Sequence, residues 1–288
     1  MKSWKIGAVA GLIAGIMTGI ATFVDGLIKL SIPIFGLYYM GLETLTTSVI
    51  RRIAYTEIVL GIIWWAVAGL IYVRIYDLIP GKGILKGLVY SLGLYLIYGV
   101  RWASYELFYG SIPTTILFLI LFYIFILSGL AFGASYEYFS NKYSVTKYKS
   151  KMYKDGFLKG IYPGAFAGLV FGLVAFSIVF LIYNQLLYPS LIPDIGFLVG
   201  QLGTHLFFNM VWCALFGMLF VRFYERIPSN GVLKGLIFSM VIYFFTTFRF
   251  GIHALAYGQI IWFIGPMLTI FGFIAFGIVL GYLYKPTK

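Results

Sequence analysis

The sequence predicts an all-α membrane protein: eight transmembrane helices arranged as two parallel four-helix repeats about a pseudo-twofold axis along the membrane normal. Three observations lead there. The chain is 61% hydrophobic and only 10% charged, with a mean hydropathy of +0.97, whereas a soluble domain is about 45–50% apolar. Residues 160–193 contain no Asp, Glu, Lys, Arg or His, a run well beyond the roughly 20 residues that span a bilayer. And the stretch LIPGKGILKGL at 78–88 returns as RIPSNGVLKGL at 226–236, an offset of 148 residues.

That offset aligns 61–88 with 209–236 without a gap. Thirteen of these 28 positions are identical, among them Trp64, Arg74, Pro80 and Lys86 with Trp212, Arg222, Pro228 and Lys234. Shared hydrophobicity alone does not keep Trp, Arg, Pro and Lys in register, so the match points to a repeated fold unit. It continues to Arg101 and Arg249. Toward the C-terminus the triplet AFG at 131–133 recurs at 275–277, an offset of 144, which predicts a four-residue deletion in the last helix pair. Toward the N-terminus Gly7, Gly11 and Gly15 line up with Gly164, Gly168 and Gly172 at an offset of 157, which predicts a nine-residue difference in the first outer loop.

The first helix is expected over 5–28. Its start, MKSWKIGAVAGLIAGIMTG, has the basic head and apolar run of a secretory signal peptide. The internal segment GIYPGAFAGLVFGLVAF matches it, so a retained helix is expected instead. Gly7, Gly11, Gly15 and Gly19 recur every fourth residue, as do Gly160, Gly164, Gly168 and Gly172. Such a face lets a neighbouring backbone approach closely, which is how helices pack in lipid. The first and fifth helices are expected to pack on each other or each within its own bundle; a glycine-lined pore is the functional alternative.

The second helix, 52–76, ends before Pro80. Glycine at 83 permits the reversal, and Lys86 is expected to anchor the third helix, 83–107, at the cytoplasmic interface. The repeated turn is therefore a hairpin between antiparallel helices. Its GKGILKG lacks P-loop spacing and follows no strand, which argues against a phosphate cradle. A fourth helix covers 112–138, and the second half repeats the plan over 158–186, 198–224, 231–255 and 260–284. The domains are then a first unit at 1–140, a basic cytoplasmic linker at 141–157 and a second unit at 158–288. Because each unit has an even number of spans, the repeat is parallel rather than inverted.

The formal charge of +12 is spread between apolar spans rather than gathered on a soluble face, so no nucleic-acid partner is expected and the lipid bilayer is the first partner. Placing the N-terminus inside puts 16 of the 21 basic residues on the cytoplasmic side, six of them between Lys142 and Lys159. This bias predicts a multi-pass protein of the plasma membrane with both termini cytoplasmic. The single cysteine, Cys213, excludes an intramolecular disulfide and a cysteine-based metal site.

Ionisable residues inside spans are costly and face a protein interior or an aqueous cavity. Arg101 lies 15 residues after Lys86, and Arg249 lies 15 after Lys234. At about 1.5 Å per residue each sits roughly 22 Å from the inner face of a core about 30 Å thick. Glu57 and His205 each precede an arginine, Arg74 or Arg222, by 17 residues, which sets them at a similar depth. A Glu57–Arg101 ion pair is expected in the first half. In the second, Arg249 meets an imidazole position in place of a carboxylate, which makes it the stronger candidate for an anion.

Gln201, His205, Asn209 and Cys213 follow at intervals of four and form one polar stripe where the first half has Ile53, Glu57, Gly61 and Trp65. His253 joins this group, four residues after Arg249. The structural alternative has the two arginines snorkelling to outer headgroups and the polar residues acting as interhelical glue. Asp25 and Lys29, one turn apart, are expected to form a local ion pair. His205 and His253 lack the further ligands that a metal or haem requires, so no cofactor is expected. No nucleophile–base spacing or paired acidic motif suggests an enzyme.

The pattern AGLIAGIMTG, then GIIWWAVAGLIY, then IPGKGILKGLVYSL and a final small-residue helix resembles a group of small four-helix bacterial and archaeal membrane proteins. Each half resembles that group separately, as a fused tandem pair does. In that group the second helix often opens with His, as in Thr204-His205 here, whereas the first half has Thr56-Glu57. The resemblance implies architecture and no activity. The functional expectation is permeation or binding of a small anionic solute, with Arg249 as anion contact. His205, Asn209, Gln201 and His253 stand beside it, and Glu57 with Arg101 forms a gate or clamp. The alternative is a structural or accessory subunit of a larger membrane complex.

Overall fold

The computed structural model describes residues 3–31, 47–108, 112–143, 156–178, 195–256 and 260–286. Among these every regular element is helical, and eight helices are long and apolar enough to cross a membrane. The chain divides into two compact units, 1–150 and 151–288.

In the first unit α1 (Ser3–Ser31) is followed by α2 (Thr47–Ile75) and a single 3₁₀ turn at Tyr76–Leu78. The chain then reverses through Pro80 and Gly83, whose φ of 52° lies in the left-handed region that a residue without Cβ enters at no steric cost. The third span consists of α3 (Ile84–Tyr95), a five-residue π turn at Leu96–Val100 and α4 (Arg101–Phe108). The fourth consists of α5 (Ile112–Ile120) and α6 (Phe122–Lys142).

Lipid tails are as apolar as leucine, so close packing and hydrogen bonds hold these helices together. The glycine face of α1 lies on α2. A Cβ at Gly7 would strike the Gly69 carbonyl, one at Gly11 that of Trp65, one at Gly15 that of Gly61, and one at Gly19 would strike the Ile58 backbone. On α3, Gly87 lies on Gly129 and Gly133 of α6, and the Ser91 hydroxyl donates to the Phe125 carbonyl at 2.5 Å. A 2.6 Å bond between the Thr18 and Ser128 hydroxyls joins α1 to α6. Rings fill the interior: Trp64, Trp65, Tyr72 and Phe132 are 0–2% exposed, and Tyr72 meets Phe132 edge-on at 4.8 Å. The glycine faces are thus packed backbone to backbone within the unit and line no pore.

The second unit runs through a 3₁₀ lead at Phe157–Gly160, α7 (Ile161–Ile178), α8 (Ile195–Phe223) and a 3₁₀ turn at Tyr224–Arg226. After the reversal come α9 (Gly231–Tyr243), a five-residue π turn at Phe244–Phe248 and α10 (Arg249–Ala256). The last span is α11 (Ile260–Leu268) and α12 (Ile270–Leu283).

Contacts within this unit correct two registers expected from the sequence. Gly160 lies on Gly217, Gly164 on Cys213, Gly168 on Asn209 and Gly172 on Leu206. The residues they meet are Gly69, Trp65, Gly61 and Ile58 moved on by 148. Gly160 therefore stands where Gly7 stands, at an offset of 153 rather than 157, which differs from the following 148 by five residues, not nine. Likewise Gly235 lies on the Gly277 carbonyl and Gly281 as Gly87 lies on the Gly129 carbonyl and Gly133. The offset of 148 persists through the last helix, and the AFG pairing with its four-residue deletion does not hold.

The lysine of the turn also differs from expectation. Lys86 Nζ donates to the Tyr76 carbonyl at 2.5 Å and sits 4.1 Å from the centre of the Tyr76 ring. Lys234 does the same at Tyr224, at 2.7 Å and 4.0 Å, and is itself buried. A cation at the C-terminal end of a helix meets carbonyls that lack intrahelical partners. The lysine is therefore a clamp across the hairpin rather than a headgroup anchor.

Candidate functional site

Each candidate arginine is the first residue after a π turn. In the first unit the Arg101 N–H reaches back to the Leu96 carbonyl, the five-residue spacing of a π bond, and the side chain is 8% exposed with its guanidinium 5.6 Å from the Trp102 ring centre. In the second, Arg249 follows Phe248 directly and is half-buried. A π turn holds an extra residue at the expense of helical geometry and is found mostly as a single turn, often at functional sites.

Glu57 lies on α2 and is 1% exposed, and its backbone carbonyl faces Gly19. The carboxylate therefore starts from the tightest seam of the first unit. Asp25, near the end of α1, is also buried, and the Tyr123 hydroxyl donates to its Oδ1 at 3.0 Å. Tyr123 of the fourth span is thus a partner of Asp25 that the expected Asp25–Lys29 pair left out; the Lys29 side chain lies outside the described residues.

The stripe on α8 faces α7. Gly168 lies against the Asn209 carbonyl and Cys213 Cβ, and the His205 ring is 5.9 Å from that of Phe176. Asn209, 2% exposed, donates its amide to the His205 carbonyl one turn earlier, at 2.7 Å. Part of its hydrogen-bonding capacity is therefore spent on its own helix. Gln201, one turn before His205, is half-buried. His253 lies in α10, and its side chain is outside the described residues. His205, Asn209 and Cys213 thus share one seam, and Arg249 belongs to a different helix.

Sequence reasoning passed over two residues beside Arg249. Thr246 and Thr247 are buried in the π turn; the Thr246 hydroxyl donates to the Ile242 carbonyl at 2.7 Å and lies 3.2 Å from that of Thr247. The adjacent pair in FFTTFRF was the available signal, since an apolar span has no other need for two hydroxyls together. Among the described residues no group of three His, Cys, Asp or Glu side chains gathers as a metal would require.

The described residues define a class, a multi-pass helical membrane protein, by eight helices long and apolar enough to cross a bilayer. Compared with known proteins, the chain matches no family model, no curated protein and no solved structure.

Proposed function

We propose that the protein binds or passes a small anionic solute at the outer part of the membrane. Arg249 is the anion contact, His205, Asn209, Gln201 and His253 are the polar residues beside it, and Glu57 with Arg101 serves as a clamp or gate in the first unit. The observation that carries this reading is the π turn placed immediately before each arginine, since a helix gives up regular geometry in a membrane only where something compensates. A guanidinium offers a planar fork of donors to a carboxylate or phosphate-like group and keeps its charge in low dielectric.

The proposal includes the architecture. The chain is a tandem duplication of a four-helix unit, in parallel orientation, in the plasma membrane with both termini in the cytoplasm. The recurrence of the same contacts, displaced by 153 residues in the first helix of each unit and by 148 from the second helix onward, supports the duplication, as does the resemblance of each half to small four-helix membrane proteins. The distribution of basic residues supports the orientation.

The test is uptake and binding of small anions by proteoliposomes containing the protein and its Arg249→Ala variant. Loss of flux or binding with an unchanged melting profile is expected. Unchanged flux would sink the assignment. A second reading, an accessory subunit of a larger complex, is favoured by Gly200 and Gly203 on α8. Both are exposed, and among the described residues nothing lies within 4 Å of the place a Cβ would take. Reproducible partners copurifying with wild type but not with a Gly200→Leu variant would support that reading.

A further inference from the structure

The seam between α1 and α6 is polar in the first unit, and the corresponding seam between α7 and α12 in the second is apolar. Thr18, Thr22 and Asp25 follow at intervals of four and three on α1, the spacing of one helix face. Both ends of this row meet α6. The Thr18 hydroxyl lies 2.6 Å from that of Ser128, and the Tyr123 hydroxyl donates to Asp25 Oδ1 at 3.0 Å. Thr18, Asp25 and Ser128 are buried. At the offsets of 153 and 148 that the glycine contacts set, the same places in the second unit hold Phe171, Ala175, Ile178, Phe276 and Phe271. There the Phe171 ring meets that of Phe273 at 4.8 Å, and a Cβ at Gly272 would touch Phe171 and Ala175. The fold thus closes this seam with apolar side chains alone, and hydrogen bonds across it are not what the architecture requires.

The hydrogen bonds of the polar seam fix the sign of what it can hold. A hydroxyl has one proton to give and two lone pairs to offer. Thr18 gives its proton to the Ala14 carbonyl and Thr22 gives its own to the Thr18 carbonyl, each at 2.8 Å. Ser128 is then the donor to Thr18, and Tyr123 spends its proton on Asp25. Every hydroxyl proton of the seam is committed, so what the seam presents is oxygen lone pairs beside a carboxylate. Such a set repels an anion and suits a hard cation, which takes oxygen ligands. The single carboxylate matches a single positive charge, whereas divalent ions draw on several carboxylates. An ionised side chain inside a membrane protein is also costly and marks an ion site or a specific pairing.

We propose that the first unit binds a small monovalent cation, of the class of sodium, in the seam between α1 and α6. The Asp25 carboxylate is the charged ligand, Thr22 Oγ1 is a second oxygen one turn before it, and the Tyr123 hydroxyl holds the carboxylate in place. The second unit, with Ile178, Ala175 and Phe271 at these positions, has no such site. This inference goes beyond the anion reading and stands or falls without it.

The test follows thermal unfolding of the full-length protein in nanodiscs of uncharged lipid while sodium chloride replaces choline chloride at constant ionic strength, which holds general screening fixed. Saturating sodium is expected to raise the melting temperature of the unaltered chain by about 5 °C. Asp25→Asn keeps the size of the side chain and an acceptor for Tyr123 but removes the charge, and is expected to abolish the shift. Thr22→Val removes one oxygen at constant shape, and is expected to raise the sodium concentration at half-effect about tenfold. Should Asp25→Asn fail to fold, Thr22→Val still decides. The proposal is overturned if sodium leaves the unaltered chain unshifted, or if either folded variant responds as the unaltered chain does. It is also overturned if a shift emerges only after Lys29→Met, since the lysine one turn on would then supply the positive charge in place of an ion.

Discussion

Near the hairpin turn of the first unit the Tyr72 ring lies 5.4, 5.2 and 4.9 Å from those of Tyr76, Tyr90 and Tyr136. In the second unit, 148 residues on, Phe220 lies 5.3, 5.3 and 5.6 Å from Tyr224, Phe238 and Tyr284. The same cage of rings is built twice, once with hydroxyls at the first and third positions and once without. Farther from the hairpin turn the two units part. Glu57, Gly61 and Trp65 of one correspond to His205, Asn209 and Cys213 of the other, so a carboxylate and a large ring are replaced by an imidazole, an amide and a thiol. Ring packing and glycine seams set where the backbones run and tolerate little change. The positions that differ lie on the glycine seams themselves, where the backbone contacts recur while the side chains differ in chemistry.

The largest expected contrast is at the carboxylate position. On the proposed pairing of Glu57 with Arg101, Glu57→Ala should cost about 3–5 kcal/mol, because a buried guanidinium would lose its carboxylate, whereas His205→Ala should cost about 1 kcal/mol. Unfolding of each variant in mixed micelles measures both. Equal losses would break the comparison and make the two positions structurally interchangeable.

The lysine clamp should behave oppositely, with the same loss in both units. Lys86→Met and Lys234→Met each remove a charged hydrogen bond and a cation–ring contact, and each should lower stability by about 1.5–3 kcal/mol. A loss confined to one unit would show that the second clamp is redundant.

The smallest effect is expected at the ring cage. Tyr72 is 0% exposed, and its hydroxyl has no hydrogen-bond partner among the described residues. Tyr72→Phe copies Phe220 and should raise stability by about 1 kcal/mol, with Phe220→Tyr lowering it by a similar amount, because a buried hydroxyl without a partner costs its desolvation. Destabilisation by Tyr72→Phe would reveal a bound partner for that hydroxyl and sharpen the difference between the cages.

Much of this molecule was legible in the amino-acid order. The helices and the hairpin turn follow from hydropathy and from Pro80 and Gly83 with their counterparts, which are local or periodic properties. Register was not legible. A ladder of glycines every fourth residue nearly maps onto itself when shifted by four: 153 pairs all four glycines of the first helix of each unit and 157 still pairs three. In the last helices Gly129 and Gly133 match Gly277 and Gly281 at 148, but Gly133 also matches Gly277 at 144. Only contact with α2 or α8, and with α3 or α9, distinguishes the alternatives, because one shift buries carbonyls against glycine and the other buries them against side chains. The π turns were likewise invisible, since one extra residue in a turn is tolerated or expelled according to what packs beside it. The direction taken by Lys86 and Lys234 belongs with them: a long flexible side chain reaches headgroups or a neighbouring helix end equally well, and the tertiary structure supplied a carbonyl and a ring at the right distance.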